Sequence, residues 1–205
     1  MLDGQAVGKK TLRIVLTGGP GGGKTTAADL FRREIGEKVV VVPEAATMLF
    51  SGGFPRHANR DAVRAAQRAI YAVQQGVEDV QAANYPGRIL LCDRGTVDGA
   101  AYWPNDGDGR GFFESAGTTL ERELARYDAV IFFESAAVAG ISIEGGNAAR
   151  IEGLDEATAL DRKLHTLWSH HPRFCFVPND RSFFKKMTFG LAQLEGIVGQ
   201  LRRLE

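Results

Sequence analysis

The sequence has only two cysteines, Cys92 and Cys175, and no CxxC pair. Both lie in short apolar runs, residues 89–92 (ILLC) and Phe174–Val177. That placement fits reduced thiols buried in strands, and it excludes a disulfide framework or a cysteine zinc site. Neither sign of charge is in excess, since 25 Lys+Arg stand against 25 Asp+Glu. The balance argues against nucleic-acid binding by bulk positive charge and against an acidic disordered tail. No apolar run approaches the roughly 20 residues that a membrane span needs. The first ten residues, MLDGQAVGKK, hold no apolar segment of leader length. The expectation is a cytoplasmic protein with no membrane or nucleic-acid partner. Proline is scarce too, 7 residues against 25 glycines. A chain of 205 residues without a linker reads as a single domain, 1–205, large enough to bury a core without staples.

What is present alternates. Apolar runs at Leu12–Thr17, Val39–Val42, 89–92, Ala129–Phe133 and Phe174–Val177 predict five strands. Unbroken β-branched runs such as the four valines suit strands covered on both faces, as in a parallel sheet. Between them lie helical patterns: Ala27, Leu30, Phe31 and Ile35 on one face, then residues 59–83. Residues 182–204 predict a last helix that docks Phe184, Met187, Leu191, Leu194 and Val198. Strands alternating with helices give an α/β fold, a doubly wound three-layer α/β/α arrangement. Two stretches fit no regular element. Residues 104–111 (PNDGDGRG) read as a turn-rich insertion. Residues 140–153 place four glycines around Arg150, which suggests a glycine-rich lid over roughly 136–154.

Residues 18–25 read GGPGGGKT and fit GxxxxGK[ST]. From this chain's own residue frequencies an accidental match has a chance of roughly 1%, and a strand before and a helix after lower it further. Gly18, Gly19, Gly21, Gly22 and Gly23 would let the backbone turn its N–H groups around phosphates. The helix that follows would point its positive end at the same anion, with Thr26 in its first turn. Lys24 would reach the β- and γ-phosphates, and the Thr25 hydroxyl would ligate Mg²⁺. The implied cofactors are ATP and Mg²⁺.

Ligands of a parallel sheet sit at the carboxyl ends of its strands. There the sequence places Glu44, then Asp93 and Arg94, then Glu134. Asp93 after ILLC has the form of an acid that binds Mg²⁺. Arg94 suits an oxygen-rich substrate group, or an ion pair with Glu44 or Asp93. Glu44 reads equally as a base for an acceptor hydroxyl and as a cap for the segment from Ala45. Glu134 reads as a cap or surface residue. Arg150 in the lid would stabilise charge on a transferred phosphoryl group. Arg56 and Arg60 follow as a clamp for an acceptor, while Arg64 reads as a solvated helix residue. Tyr102 and Trp103 read as core aromatics before they read as a stacking platform. His170 and His171 before Pro172 read as a helix terminus.

These residues together have a family look. GGPGGGKTT, VVPEAATMLFSGG, AQRAIYAVQ, LLCDRGTVDGAAYW and NAARIE occur in that order across residues 12–181. The set resembles the small AAA-type ATP-binding domain proteins near nicotinamide riboside kinase and, more distantly, the deoxynucleoside and thymidylate kinases. The resemblance implies a P-loop kinase fold, nucleoside-kinase-like, on a five-stranded parallel sheet. It implies that Glu44 contacts the acceptor and that Gln67 reads a nucleobase. It places Asp93 and Arg94 in an acidic-Arg-Ser motif in which Gly95 replaces the serine, and Arg150 in the lid. The chain departs from those kinases in its single lid arginine and in Ala66, which stands where an aromatic would precede Gln67.

Two functions remain on the sequence. One is transfer of the ATP γ-phosphoryl group to a small hydroxyl acceptor. The other is a regulatory ATPase or GTPase switch with no such acceptor. No Asn-Lys-x-Asp motif for guanine is present, which favours ATP, although Pro178, Asn179 and Asp180 are placed to line a base pocket. A polar acceptor cavity beside the phosphate loop would separate the two.

Overall fold

A computed structural model describes residues 10–56, 58–104, 109–140 and 153–203. The described residues form a five-stranded sheet from β1 (Leu12–Thr17), β2 (Val39–Val42), β3 (Ile89–Asp93), β4 (Ala129–Phe133) and β5 (Phe174–Val177). The order is β2-β3-β1-β4-β5, and every neighbouring pair is parallel. The expected α/β/α arrangement is therefore found. β3 runs one residue further than expected, so Asp93 is its last residue and pairs with Leu16 of β1.

Both faces of the strands are apolar because both are covered. Val15, Leu90, Cys92, Val130 and Phe132 point into one core, and Ile14, Leu16, Leu91, Ile131 and Phe133 into the other. The first core is closed by α3 (Arg60–Asn84), α7 (Leu154–Trp168) and the short helices α4 (Asp98–Ala101), α5 (Arg110–Ser115) and α6 (Leu120–Leu124). The second is closed by α1 (Lys24–Ile35) and α8 (Phe183–Leu201). A seven-residue helix, α2 (Ala45–Ser51), follows β2. Asn59 caps α3 by accepting from Asp61 and Ala62 N–H. Cys92 is buried and Cys175 half-buried, and both are free thiols.

One residue of a docking face differs from expectation. Phe184 is 78% exposed, whereas Met187 and Leu194 are buried and Leu191 and Val198 pack against the same core as expected. Gly190 faces the sheet beside them. A Cβ there would lie 2.8 Å from Phe133 Cζ and 3.1 Å from Phe31 Cζ, so the helix approaches the sheet through its glycine. Periodicity alone did not single out that contact. Lys186 is buried, and its Nζ donates to Glu134 O at 2.6 Å.

All strands end at one edge, which gathers Thr17, Val42, Asp93 and Phe133 near one another. Residues 105–108 of the turn-rich insertion and 141–152 of the lid, Arg150 among them, lie outside the described residues. Among the described residues no helix is long and apolar enough to cross a membrane.

Burial pushes the Lys186 ammonium down from 10.5 to about 8, against the opposing pull of Glu134 and Asp161. The folded state thus binds this proton less tightly than the unfolded chain. The penalty is fully present below pH 8 and fades as pH rises towards 10.5. Relative to Lys186→Met, the unaltered protein should gain on the order of 2–3 kcal/mol across that window. Parallel unfolding curves of the two proteins from pH 7 to 10.5 would contradict the assignment.

Candidate functional site

The chain leaves β1 through Gly18, whose φ of 128° suits glycine. A Cβ at Gly18 would run into the Phe133 carbonyl at the end of β4. Gly23 ends the loop at φ 89° and serves as N-cap of α1, with no side-chain cap bond. No acidic residue occupies the first turn of α1. Its N-terminal N–H groups therefore keep their capacity for an external anion. Lys24 is 3% exposed and lies within the loop's own turn, donating to Gly18 O at 2.7 Å and Gly19 O at 2.8 Å. Gly18 to Thr26 thus stand where the motif expects them.

Two elements unforeseen in the sequence brace this loop. Asp161 of α7 accepts from Gly19 N–H at 2.7 Å and from Ser135 N–H at 2.9 Å. The Ser135 hydroxyl donates to Pro20 O. Burial raises the Asp161 carboxyl, against the two N–H donors. Glu134 is a brace as expected of a cap, accepting from Asn179 N–H at 2.8 Å.

Thr25 and Asp93, which the sequence reading assigned to Mg²⁺, lie in contact. Thr25 Oγ1 donates to Asp93 Oδ2 at 2.7 Å. Asp93 Oδ1 is buried and makes no hydrogen bond among the described residues. A buried carboxylate oxygen without a donor is costly unless a cation meets it. One hydroxyl and one carboxylate, oxygen donors only, suit Mg²⁺ that takes its other ligands from phosphates and water. The residues therefore fit that ion. Burial and the nearby Glu44 charge raise the Asp93 carboxyl, with Thr25, Lys24 and Arg94 opposing.

Arg94 follows with φ 73°, left-handed for a non-glycine residue. That backbone costs roughly 1–2 kcal/mol and persists because the side chain is held twice. Nε pairs with Glu44 Oε1 at 2.5 Å, and Nη1 with Asp98 Oδ2 at 2.8 Å. Of the ion pairs open on the sequence, that with Glu44 forms; the second partner is Asp98 and not Asp93. Glu44 stands at the N-cap position of α2 but makes no side-chain cap. Its carboxylate takes Arg94 and the Thr47 hydroxyl instead. Burial works to raise its pKa, but Arg94, Thr47 and Lys24 prevail and hold it below the ordinary value. Glu44 is thus an anion at neutral pH.

Beyond this pair opens a cavity of about 580 Å³. It is less polar than the sequence reading asked for: Phe50, Val63, Ile70, Tyr71 and Phe112 give it apolar walls, while Glu44, Arg94 and Gln67 give it polar points. Gln67 is buried, and its amide makes no hydrogen bond among the described residues. Gln74 ties the wall to the site by donating to Arg94 O at 3.2 Å and to Glu78 at 3.0 Å. Tyr71 donates to Glu123 at 2.8 Å, and burial and that carboxylate push its phenol up to about 12. Arg56 lines the cavity with its guanidinium 3.7 Å over the Phe50 ring. Arg60 is exposed at the start of α3 and is not part of the lining. Tyr102 is half-buried at the cavity and Trp103 is core. His171 is buried and bonds Tyr127 O beyond the end of α7, a structural role as expected.

Residues 13–183 match the profile of the AAA domain family. No curated protein matches the chain. Among solved structures, the chain is similar to deoxyadenosine kinase from M. mycoides with bound dATP, at a TM-score of 0.64. The match covers 90% of this chain and 100% of that chain at 14% sequence identity, a likeness of fold.

Two outcomes follow from the geometry. Lys24→Ala should weaken Mg²⁺–ATP binding by roughly 2–3 kcal/mol, the scale of charged hydrogen bonds, read as lost thermal stabilisation by nucleotide. Protonation of Asp93 competes with the cation, so Mg²⁺–ATP affinity should fall on acidification before an ordinary aspartate, at 3.8, would titrate. Titration calorimetry across pH checks this. Asp93→Asn should show neither the Mg²⁺ dependence nor that pH dependence, and an Asn variant with both would refute the placement.

Proposed function

The chain belongs to the AAA domain family, and from that premise we propose that it is a Mg²⁺–ATP-dependent phosphotransferase acting on a hydroxyl of a small, nucleoside-like acceptor. The observation that carries this reading is the cavity of about 580 Å³ that opens from the phosphate loop, with Glu44 and Arg94 at its near end. A switch would have no use for such a space. Its volume lies in the range of small-molecule sites, and its apolar walls with few polar points suit a flat ring bearing one reactive hydroxyl.

The roles follow from position. Lys24 and the loop N–H groups hold the β- and γ-phosphates. Thr25 and Asp93 are the protein donors for Mg²⁺, which when bound supplies positive charge at the phosphate oxygens. Glu44 keeps free lone pairs beside its Arg94 and Thr47 bonds and accepts the acceptor's hydroxyl proton. The hydroxyl oxygen then bonds to the γ-phosphorus as the bond to the β-phosphate oxygen breaks and ADP leaves. Arg94, with Arg150 from the lid, stabilises the charge on the moving group. The Gln67 amide pairs with the edge of the ring. The rate gain is positioning and electrostatics, because the protein forms no covalent bond.

The test is ADP release from Mg²⁺–ATP against a panel of nucleosides and small hydroxyl metabolites, with products weighed by mass spectrometry. One acceptor should speed release and gain one phosphoryl mass. Glu44→Gln should then slow transfer by about 10²–10⁴-fold while nucleotide-dependent stabilisation persists. Slow release that no acceptor changes would replace this reading with the switch.

A further inference from the structure

Asp98 lies in the LLCDRGTVDGAAYW stretch, one helical turn beyond Arg94, and is 5% exposed. Its Oδ1 accepts from Trp168 Nε1 at 2.7 Å and from Thr17 Oγ1 at 2.9 Å. Its Oδ2 accepts from Arg94 Nη1 at 2.8 Å. One carboxylate therefore joins the last residue of β1, the arginine after β3, and the last residue of α7. We propose that Asp98 is a positioning residue for Arg94, and that Trp168, by donating to Asp98, makes the pose of Arg94 depend on α7. The functional consequence rests on the reading that Arg94 acts on the transferred phosphoryl group.

Three observations carry it. First, the guanidinium is pinned at Nε and Nη1, while Nη2 makes no hydrogen bond among the described residues. Arg94 lines the cavity, so the pinning leaves one donor group for a ligand. Second, Gly95 is glycine because of Trp168. Its φ is not in the left-handed range, yet a Cβ there would lie 2.8 Å from Trp168 Cη2 and 2.9 Å from Cζ2. The ring fills the space that a serine side chain would take, and reaching Asp98 from α7 requires that space. Third, α7 holds the phosphate loop as well. Asp161, two turns before Trp168, accepts from Gly19 N–H. A displacement of α7 would move the loop's first turn and the donor to Asp98 together.

A clasp that serves folding alone would give the same static bonds, so the test reads Arg94 itself. The Arg94 Nε–H signal in ¹⁵N-labelled protein, assigned with Arg94→Lys, is followed for solvent exchange with and without Mg²⁺–ADP. Asp98→Asn should speed that exchange ~10-fold or more, and Trp168→Phe should shift the signal in the same direction by less. In turnover, Asp98→Asn should lower kcat with the accepting nucleoside ~10-fold and leave the KM for ATP within about twofold. Asp98→Glu should recover part of the loss. A lower Tm with the Arg94 signal, kcat and KM unchanged would overturn the proposal and leave a structural clasp. Should Asp98→Asn not fold, an Arg94 signal in Trp168→Phe identical to that of the unaltered protein overturns it. If the unaltered protein transfers to no acceptor, the phosphotransferase reading fails, and the exchange arm still decides whether Asp98 positions Arg94.

Discussion

Everything at the site depends on gathering Glu44, Asp93, Asp98 and Asp161 at one edge of a parallel sheet around buried Arg94 and Lys24. Parallel pairing forces the gathering, because it brings the ends of β1 to β4 to the same edge. Buried carboxylates must then be paired, hydrogen-bonded or neutralised. Each of these four meets that demand differently. Glu44 and Asp98 share Arg94. Asp161 takes two backbone N–H groups and thereby fixes the loop. Of the four, Asp93 alone keeps a buried oxygen without a donor among the described residues, beside the Thr25 hydroxyl. The division of labour among like groups is thus set by what each one lacks.

The left-handed Arg94 belongs to the same account. A side chain tied to two carboxylates stabilises a backbone that sequence statistics disfavour. Its ties reach α2 through Glu44 and α7 through the link from Asp98 to Trp168. Helices on the outer layer therefore govern a residue at the edge of the sheet. Gln74 extends this control to α3, since its amide bonds the Arg94 carbonyl. The cavity is walled by α3 and shares this framework.

Much of this was legible in the sequence, and the reasons are local. Apolar runs in covered strands gave the five-stranded sheet, and the spacing of Gly18, Gly23, Lys24 and Thr25 gave the loop. Asp93 and Arg94 followed from their place after a buried run. What the sequence concealed depends on distant chain segments. Nothing near Asp161 marks it as a partner of Gly19, 142 residues away in sequence. Gly95 looks like a simple departure from a motif until the Trp168 ring is seen beside it. On α8 the stripe through Met187, Leu191, Leu194 and Val198 docks as read, but the same spacing admits Phe184, which is 78% exposed. Asp98 was hidden for a different reason: an aspartate opening a short helix has an ordinary local reading.

The proposed function requires the cavity to be the acceptor's place, continuous with the phosphate loop. The most direct measurement is the affinity of a bridged ligand, a nucleoside joined to adenosine through a polyphosphate, compared with that of ATP alone. If both halves seat at once, the bridged ligand should bind at least ~10²-fold tighter than ATP, the usual gain of linked occupancy. Filling the cavity with Ala66→Trp should remove that gain and spare ATP. Equal affinities for the bridged ligand and ATP would contradict the account.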